Sequence, residues 1–421
     1  MFSRAQTDTL PCCSFLSAHR HCSPDLALDL STRIAPLPPH PAFHCLLMDL
    51  PLPLLEDVLA SLPLRSLLAV SATSKYLHSL VSSASFALVR SHNGAASPAW
   101  FFFFGFNRLL PERSQAFAFD PVSSSWLPLP LSTPPPHNSA SLSASAGGCL
   151  VALAGPQQTY VCIAPSLVKQ DWQVLKKPMR VPRRNDPLLG VFYSDPQKLR
   201  VGRVIVAGGV DTDAKECEGM EKDLPVEEYN TYKEEWDTCQ PLPEVLKGKN
   251  LVATVAEDKF YVGDAEGSVI CWMEGRQWRE AKLERPGQVR RWEWVGCEGM
   301  GLLAVAECDG GSVRIYRLEG IDADKQIVQM VSEMPDDLRA LFEEEEGVAR
   351  VRSCTGGPNL VYIYSDSGFR DYAICACELS TVGGMRSRWF RLPPLPSPLH
   401  RFDRVCCISA CVPLSACISS E

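Results

Sequence analysis

Between residues 98 and 412 the sequence repeats a short pattern in which a tryptophan is followed closely by a proline. The pattern occurs at Trp126, Trp172, Trp236, Trp278 and Trp389. The spacings are 46, 64, 42 and 111 residues, and the last gap contains a sixth slot without the aromatic, "VQMVSEMP" at residues 328–335. Repeats of about 40 to 60 residues that contain several short strands are typical of propeller blades. The spacing therefore predicts six repeated units.

The strand candidates within these units predict how the ring closes. Two units share nearly the same inner segment, "GSVICW" from Gly267 and "GSVRIY" from Gly311. Units two to six each offer about four strand candidates, whereas the first offers only "WFFFFGF", "QAFAFD" and "SSWLPL". The segment Phe402–Val412 remains, and adding it to the first unit removes an exposed sheet edge. We predict a mainly β fold, a six-bladed propeller at 98–412 closed by a C-terminal strand, with a tail at 413–421.

Composition argues against two classes of function. The 421 residues carry a formal net charge of −8, so there is no broad basic field for nucleic acid. The longest apolar run, Trp100–Phe106, is much shorter than the roughly 20 residues that span a bilayer. We therefore expect neither a nucleic-acid nor a membrane partner.

The 18 cysteines are interpreted as reduced thiols. Residues 1–20 have no continuous apolar core of the kind a secretory signal needs. Cys162, Cys271, Cys308 and Cys375 lie inside apolar strand-like runs, where free cysteine behaves as a small hydrophobe. A reducing compartment, cytoplasm and/or nucleus, is the expected location.

The N-terminal part differs from the repeats. Residues 1–45 lack lysine and glutamate and show no stable periodicity, so they are predicted to be a disordered leader. Helical periodicity follows in "LPLPLLEDVLASLPLRSLLAVSATSKYL", residues 50–77. Its apolar residues share one face of a first helix that Pro63 ends. Two more short helices are predicted at about 65–70 and 74–81. We expect a small helical domain at 46–85, followed by a linker at 86–97, with its apolar face packed on something else.

This helical stretch resembles the F-box. The family pattern of two Leu-Pro pairs, an intervening helix and a Ser-Leu-Leu segment is matched by Leu50, Pro51, Leu54, Leu55, Val58, Leu59, Leu62, Pro63, Ser66, Leu67, Leu68 and Lys75. Pro53 stands where the family usually has an acidic residue, and Tyr76 stands where it usually has tryptophan.

Two repeat units resemble the kelch motif. In "FDPVSSSW" (119–126) and "YNTYKEEW" (229–236) an aromatic residue precedes the tryptophan by seven positions, and "VIVAGG" precedes the second. A double glycine permits a tight turn with positive φ, and the aromatics pack between blades. We read these aromatics as core residues.

An F-box followed by kelch repeats is similar to the plant F-box/kelch-repeat proteins. The resemblance implies the substrate-recognition subunit of a Skp–Cullin–F-box ubiquitin ligase, which catalyses nothing itself and needs no cofactor or metal. Its partners would be a Skp-type adaptor, through it a cullin, and a target protein that the sequence does not identify. The implied adaptor-binding residues are Leu50, Pro51, Leu54, Leu55, Val58, Leu59, Leu62, Pro63 and Leu67. On this interpretation the leucines face another protein rather than the β-domain.

Three alternatives remain at this stage. The helices could be a cap packed against the propeller, or the chain could be a kelch-type interaction scaffold that acts outside a ligase. Some kelch propellers resemble copper oxidases, but this propeller has only His137 and His400 as imidazole ligands, which argues against an enzyme.

Charged segments give a candidate target-binding site. Lysines and arginines cluster between the second and third units, at Lys176, Lys177, Arg180, Arg183 and Arg184. An acidic insertion follows at 211–228, and a second acidic segment begins at Pro335. Such runs usually stay solvated, but the basic run would suit an acidic or phosphorylated partner.

Overall fold

The structure is a computed structural model. It describes residues 50–92, 99–107, 109–129, 142–144, 150–154, 160–164, 173–183, 187–195, 200–210, 224–321, 326–344, 347–348, 351–355, 357, 359–365, 372–400 and 402–412. Within these ranges a group of short helices precedes a series of antiparallel sheets. None of the helices in them is long and apolar enough to cross a membrane.

Prolines set the boundaries of the first helices, which are α1 (Leu52–Ser61), α2 (Leu64–Ser71), α3 (Lys75–Val81) and α4 (Ala84–His92). Pro63 disfavours a helical residue before it, and Leu62 is extended at φ −70° and ψ 144°. Pro53 lies in the first turn of α1, where its missing N–H would have no helical partner. Proline at position 53, where the F-box pattern usually has an acidic residue, is therefore compatible with the helix.

Serine side chains begin the next two helices. The Ser74 hydroxyl accepts a hydrogen bond from the Leu77 N–H at 3.1 Å, and the Ser83 hydroxyl accepts one from the Phe86 N–H at 3.1 Å. Each bond satisfies a backbone donor that the helix leaves unpaired. Because α4 occupies residues 84–92, most of the segment that the sequence predicted as a linker is helical up to His92.

Three strands of the first sheet and all strands of the next two come in chain order. The first has β1 (Trp100–Phe106), β2 (Gln115–Asp120) and β3 (Ser125–Leu129). The second has β4 (Leu142–Ala144), β5 (Leu150–Ala154), β6 (Tyr160–Ala164) and β7 (Gln173–Val174). The third has β8 (Leu188–Asp195), β9 (Arg200–Ala207), β10 (Val226–Asn230) and β11 (Glu235–Thr238).

The remaining sheets follow the same order. The fourth has β12 (Leu251–Ala256), β13 (Lys259–Asp264), β14 (Val269–Glu274) and β15 (Gln277–Lys282). The fifth has β16 (Val289–Cys297), β17 (Gly301–Cys308), β18 (Val313–Glu319) and β19 (Ile327–Glu333). After α5 (Asp336–Arg339) and the two-stranded pair β20 (Glu343–Glu344) and β21 (Gly347–Val348), the sixth has β22 (Val351–Cys354), β23 (Leu360–Ser365), β24 (Ile374–Ser380) and β25 (Arg386–Arg391).

The C-terminal strand β26 (Arg404–Ala410) completes the first sheet, whose order is β26-β1-β2-β3. It pairs antiparallel with β1, placing Ala410 opposite Trp100. Innermost strands of successive sheets contact each other in the cycle β26, β4, β8, β12, β16, β22 and back to β26. Five of these four-stranded sheets consist of strands that are consecutive in the sequence. The first sheet instead combines β1 to β3, from the start of the propeller, with β26 from its C-terminal end. The mainly β propeller, its small helical N-terminal region and the place of the closing strand are confirmed.

The repeated tryptophans link neighbouring units. Their indole Nε1–H groups donate to an oxygen of an adjacent unit or its linker, at 2.7 to 2.9 Å in the pairs Trp126–Pro393, Trp236–Lys177, Trp278–Gln240 and Trp389–Ser332. The acceptor is a backbone carbonyl in three pairs and the Ser332 hydroxyl in the fourth. In these four units the tryptophan–proline period therefore reflects a contact with another unit of the ring, whereas Trp172 lies outside the described residues.

Two predicted features of the core are also present. The double glycine of "VIVAGG", Gly208 and Gly209, has φ of +64° and +71°, a region that other residues rarely adopt. Cys271, Cys308 and Cys375 are buried and free, while the Cys162 side chain lies outside the described part. Burial raises the pKa of the Cys271 thiol to about 12, so it packs as an apolar group.

Candidate functional site

The helical region is built onto the first sheet. Successive side chains of strand β1 point to opposite faces of the sheet. Trp100, Phe102 and Phe104 face the helices. Phe101 and Phe103 pack against the sixth sheet. The helices contribute their own apolar side chains to the same core, namely Leu55, Leu59, Leu64, Leu67, Leu77, Val81 and Phe86. Helices and first sheet therefore share one hydrophobic core.

This core corrects part of the predicted adaptor surface. Leu55, Leu59 and Leu67 are at most 1 % exposed and pack in the shared core, so no partner can reach them in the folded chain. The expectation that the leucines face away from the β-domain is wrong for these three. Periodicity places leucines on a helix face, but it does not distinguish a face that packs on the same chain from one that meets another protein.

A second stripe of α1 remains exposed. Leu54 is 54 % exposed and Val58 is 43 % exposed, and their spacing of four residues places them on one side of the helix. Pro51 is also exposed at the start of that side, while Leu50, Leu62 and Pro63 are partly buried. We refer to Pro51, Leu54 and Val58 as the α1 face. Leu52, Tyr76 and Leu88 are further exposed apolar side chains on the same group of helices.

Two arginines hold the helices in place, and no pattern in the sequence indicates either role. Arg90 is buried, and its Nη1 donates to the carbonyls of Ala60 at 3.1 Å and Leu62 at 2.9 Å, where α1 ends. These bonds satisfy carbonyls that a helix end leaves unpaired. Burial lowers the pKa of Arg90 from its usual value. Arg65 of α2 reaches the first sheet, where its Nη1 donates to the Ser125 hydroxyl at 2.8 Å.

The basic run between the second and third sheets is not a free cationic patch. The Nζ of Lys176 lies 3.3 Å from Glu234 Oε2, and the Nζ of Lys177 lies 3.2 Å from Glu235 Oε1. All four side chains are more than half exposed, so these ion pairs are weak. The predicted residue Arg184 lies outside the described residues. Among the described residues of this run, Lys176, Lys177 and Arg180 are exposed and Arg183 is buried.

Arg180 and Arg183 of the run serve the third sheet instead. Arg180 donates to the Trp236 carbonyl at 3.3 Å and to the Thr238 hydroxyl at 3.0 Å. Arg183 is fully buried, and its Nη2 lies 2.9 Å from Glu227 Oε2. Its Nη1 donates to the Gly208 carbonyl at 2.6 Å. The prediction that Arg183 contacts a target is therefore wrong, because the side chain holds together the turn after β9.

Comparison with known proteins bears on both parts of the chain. Residues 47–88 match the F-box domain family. An F-box/kelch-repeat protein of Arabidopsis thaliana is 25 % identical over 360 residues, which are 81 % of this chain and 83 % of that protein. The chain therefore contains an F-box domain and is similar over most of its length to an F-box/kelch-repeat protein. Its F-box consists of α1 to α3 and the first part of α4, and F-box domains generally bind Skp-type adaptors.

The solved structures that align with this chain are distant from it. A protein from Lactobacillus plantarum aligns with a TM-score of 0.41 at 12 % identity, covering 70 % of this chain and 82 % of its own. The SapL1 lectin in complex with alpha methyl fucoside aligns with a TM-score of 0.41 at 10 % identity, covering 68 % and 89 %. Similarities this weak carry no argument about ligands or activity.

Proposed function

We propose that this protein is the substrate-recognition subunit of a Skp–Cullin–F-box ubiquitin ligase. The α1 face carries the proposal: Leu54 and Val58 stay exposed to water, although Leu55 and Leu59 of the same helix are buried in the shared core. An apolar helix stripe of this kind suits a helix-in-groove contact with an adaptor. The propeller would hold the target, so the protein supplies proximity and no chemistry of its own. Its free, buried thiols support a cytoplasmic and/or nuclear location.

The adaptor contact is tested with the double substitution Leu54→Asp and Val58→Asp. We expect affinity for a purified Skp-type adaptor to fall at least about 100-fold, because two side chains that each contribute about 1.5–3 kcal/mol on burial are replaced by charges. Isothermal titration of the full chain measures the change. Both side chains are exposed, so the unfolding temperature should stay close to that of the wild type.

The matched control introduces two aspartates at exposed positions far from α1 in the sequence. Val122 and Val382 are exposed valines in turns of the first and sixth sheets, and their double aspartate variant should bind the adaptor normally. Equal adaptor affinity in the Leu54→Asp/Val58→Asp variant and the wild type would reject the α1 face. Replacing Leu55 or Leu59 is no test, since it opens the shared core.

The ligase is tested separately from the adaptor. The chain, the adaptor and a cullin are mixed and their co-elution is measured. A ternary assembly is expected. A chain that binds the adaptor but never a cullin would instead be the interaction scaffold outside a ligase.

A further inference from the structure

The outer strand of the fifth sheet, β19, has an unusual edge. Within the described residues it pairs only with β18, so one row of its backbone N–H and C=O groups has no strand partner. Exposed edges invite another strand, and proteins usually guard them with charges, proline or shortness. The other outer strands have such guards: Pro128 in β3, two residues of length in β7, and charged side chains in β11, β15 and β25. Strand β19 reads "IVQMVSE" and has no charge or proline before Glu333.

The side chains of β19 make its first half a flat, apolar edge. Ile327 is 44 % exposed and Met330 is 52 % exposed, whereas Val328 packs against the core between the fourth and fifth sheets. The pairing with β18 is regular from Ile327 to Met330 and then shifts by one residue. Beyond the shift, the Ser332 hydroxyl is bound by Trp389 of the sixth sheet at 2.7 Å. The open, regular stretch is therefore residues 327–330.

A groove lies between the fourth and fifth sheets, on the β18 side of this stretch. It has a volume of about 240 Å³. Its walls include the apolar side chains of Tyr261, Trp272 and Leu318 and the charged side chains of Glu257, Lys259 and Arg317. Leu318 is the cross-strand partner of Val328, so Val328 and, two residues later, Met330 lie on the groove side of the sheet. Alternate side chains of a strand added to β19 would lie on that side too.

Charge identifies the kind of strand that fits. Arg317 Nη1 is 2.9 Å from Glu319 Oε1, and Arg314 Nη2 is 3.2 Å from Glu333 Oε1. The charges that flank the edge are thus already paired within the sheet. A partner segment needs extended backbone and uncharged, alternately apolar side chains, but no charge of its own.

We propose that an uncharged, extended segment of the recruited protein binds residues 327–330 as an additional β-strand, with alternate apolar side chains beside the groove. The inference rests on the proposed function, in which the propeller holds the target. Backbone hydrogen bonds supply affinity in such strand addition, and alternate side chains supply selectivity.

The probe is a synthetic decapeptide in which valine alternates with serine and threonine, with two terminal lysines for solubility. We expect saturable binding to the full chain by fluorescence anisotropy and slower amide hydrogen exchange at residues 327–330. The variant Ile327→Lys/Met330→Lys should bind at least about tenfold more weakly, since edge lysines block strand addition. The control Val122→Lys/Val382→Lys should bind as the wild type does. A twin peptide with alternate N-methylated amides should not bind.

Several results would overturn the inference. One is equal peptide affinity in the Ile327→Lys/Met330→Lys variant and the wild type; another is exchange protection confined to other strands. A wild-type dimer that the lysine variant dissolves would show that the edge pairs with a second copy. Adaptor affinity is measured on the same preparations. Normal adaptor binding without peptide binding rejects this inference alone, and peptide binding without adaptor binding rejects the proposed function alone.

Discussion

Replacing Arg183 by methionine is expected to lower the free energy of unfolding by about 3–5 kcal/mol, because it leaves a buried carboxylate without its cation. Arg183 is fully buried against Glu227, whose oxygens also accept the backbone N–H groups of Arg180 at 2.8 Å and Val181 at 3.2 Å. Burial lowers the pKa of Arg183, and the charge and hydrogen bond of Glu227 oppose that shift. Urea denaturation followed by tryptophan fluorescence measures the loss.

The matched control lies six residues earlier in the same run. Lys177→Met also removes a cation from an ion pair, at 3.2 Å from Glu235, but both side chains are more than half exposed. Its cost should stay below about 1 kcal/mol. Similar losses in both variants would contradict the structural role of Arg183. Charge reversal across the whole basic run cannot test target binding, because reversing Arg183 would destabilise the third sheet.

Replacing Gly267 by alanine is expected to cost about 2–5 kcal/mol of stability, from two independent causes. The residue has φ of +76°, which costs other residues about 1–2 kcal/mol. A Cβ here would also overlap Nε1 of Trp292, a fully buried side chain of the fifth sheet, and overpacking adds about 1–3 kcal/mol. Thermal and urea unfolding should both shift.

Gly275 separates the two causes. Its φ of +64° is similar, but a Cβ would meet nothing within 4 Å. Gly275→Ala should therefore lower the free energy of unfolding only by the cost of positive φ, about 1–2 kcal/mol. If the two alanine variants lose equal stability, the close approach of Trp292 to Gly267 is not important for the fold.

The sequence predicted the ring because its period has a physical cause. The indole N–H of each of four tryptophans donates a hydrogen bond to a neighbouring unit or linker, namely Trp126, Trp236, Trp278 and Trp389. The repeat period in the sequence therefore follows from a repeated contact in the structure. The closing strand was predictable because an open sheet edge is costly. Helix α4 was missed because "ASFALVRSH" lacks a regular apolar stripe, and its Ser83 start precedes no clear pattern.

The sequence predicted which residues belong to the candidate site but not which of them are buried. Leu54 and Leu55 are adjacent leucines, yet Leu54 is exposed to water and Leu55 is buried in the same core as Phe102. Lys177 and Arg183 likewise belong to one basic run and differ completely in exposure. Local pattern gives the type of side chain and the side of a helix, but which side the rest of the chain covers is decided by tertiary packing.

The core that the F-box shares with Trp100, Phe102 and Phe104 leaves no hinge at this contact between α1 and the propeller. Under the proposed function, a protein held on the propeller is presented to the ubiquitin-carrying enzyme at one orientation and one range. Only lysines of that protein that fall within this fixed reach would be modified. Selection would then depend on where a bound protein carries its lysines as well as on how tightly it binds.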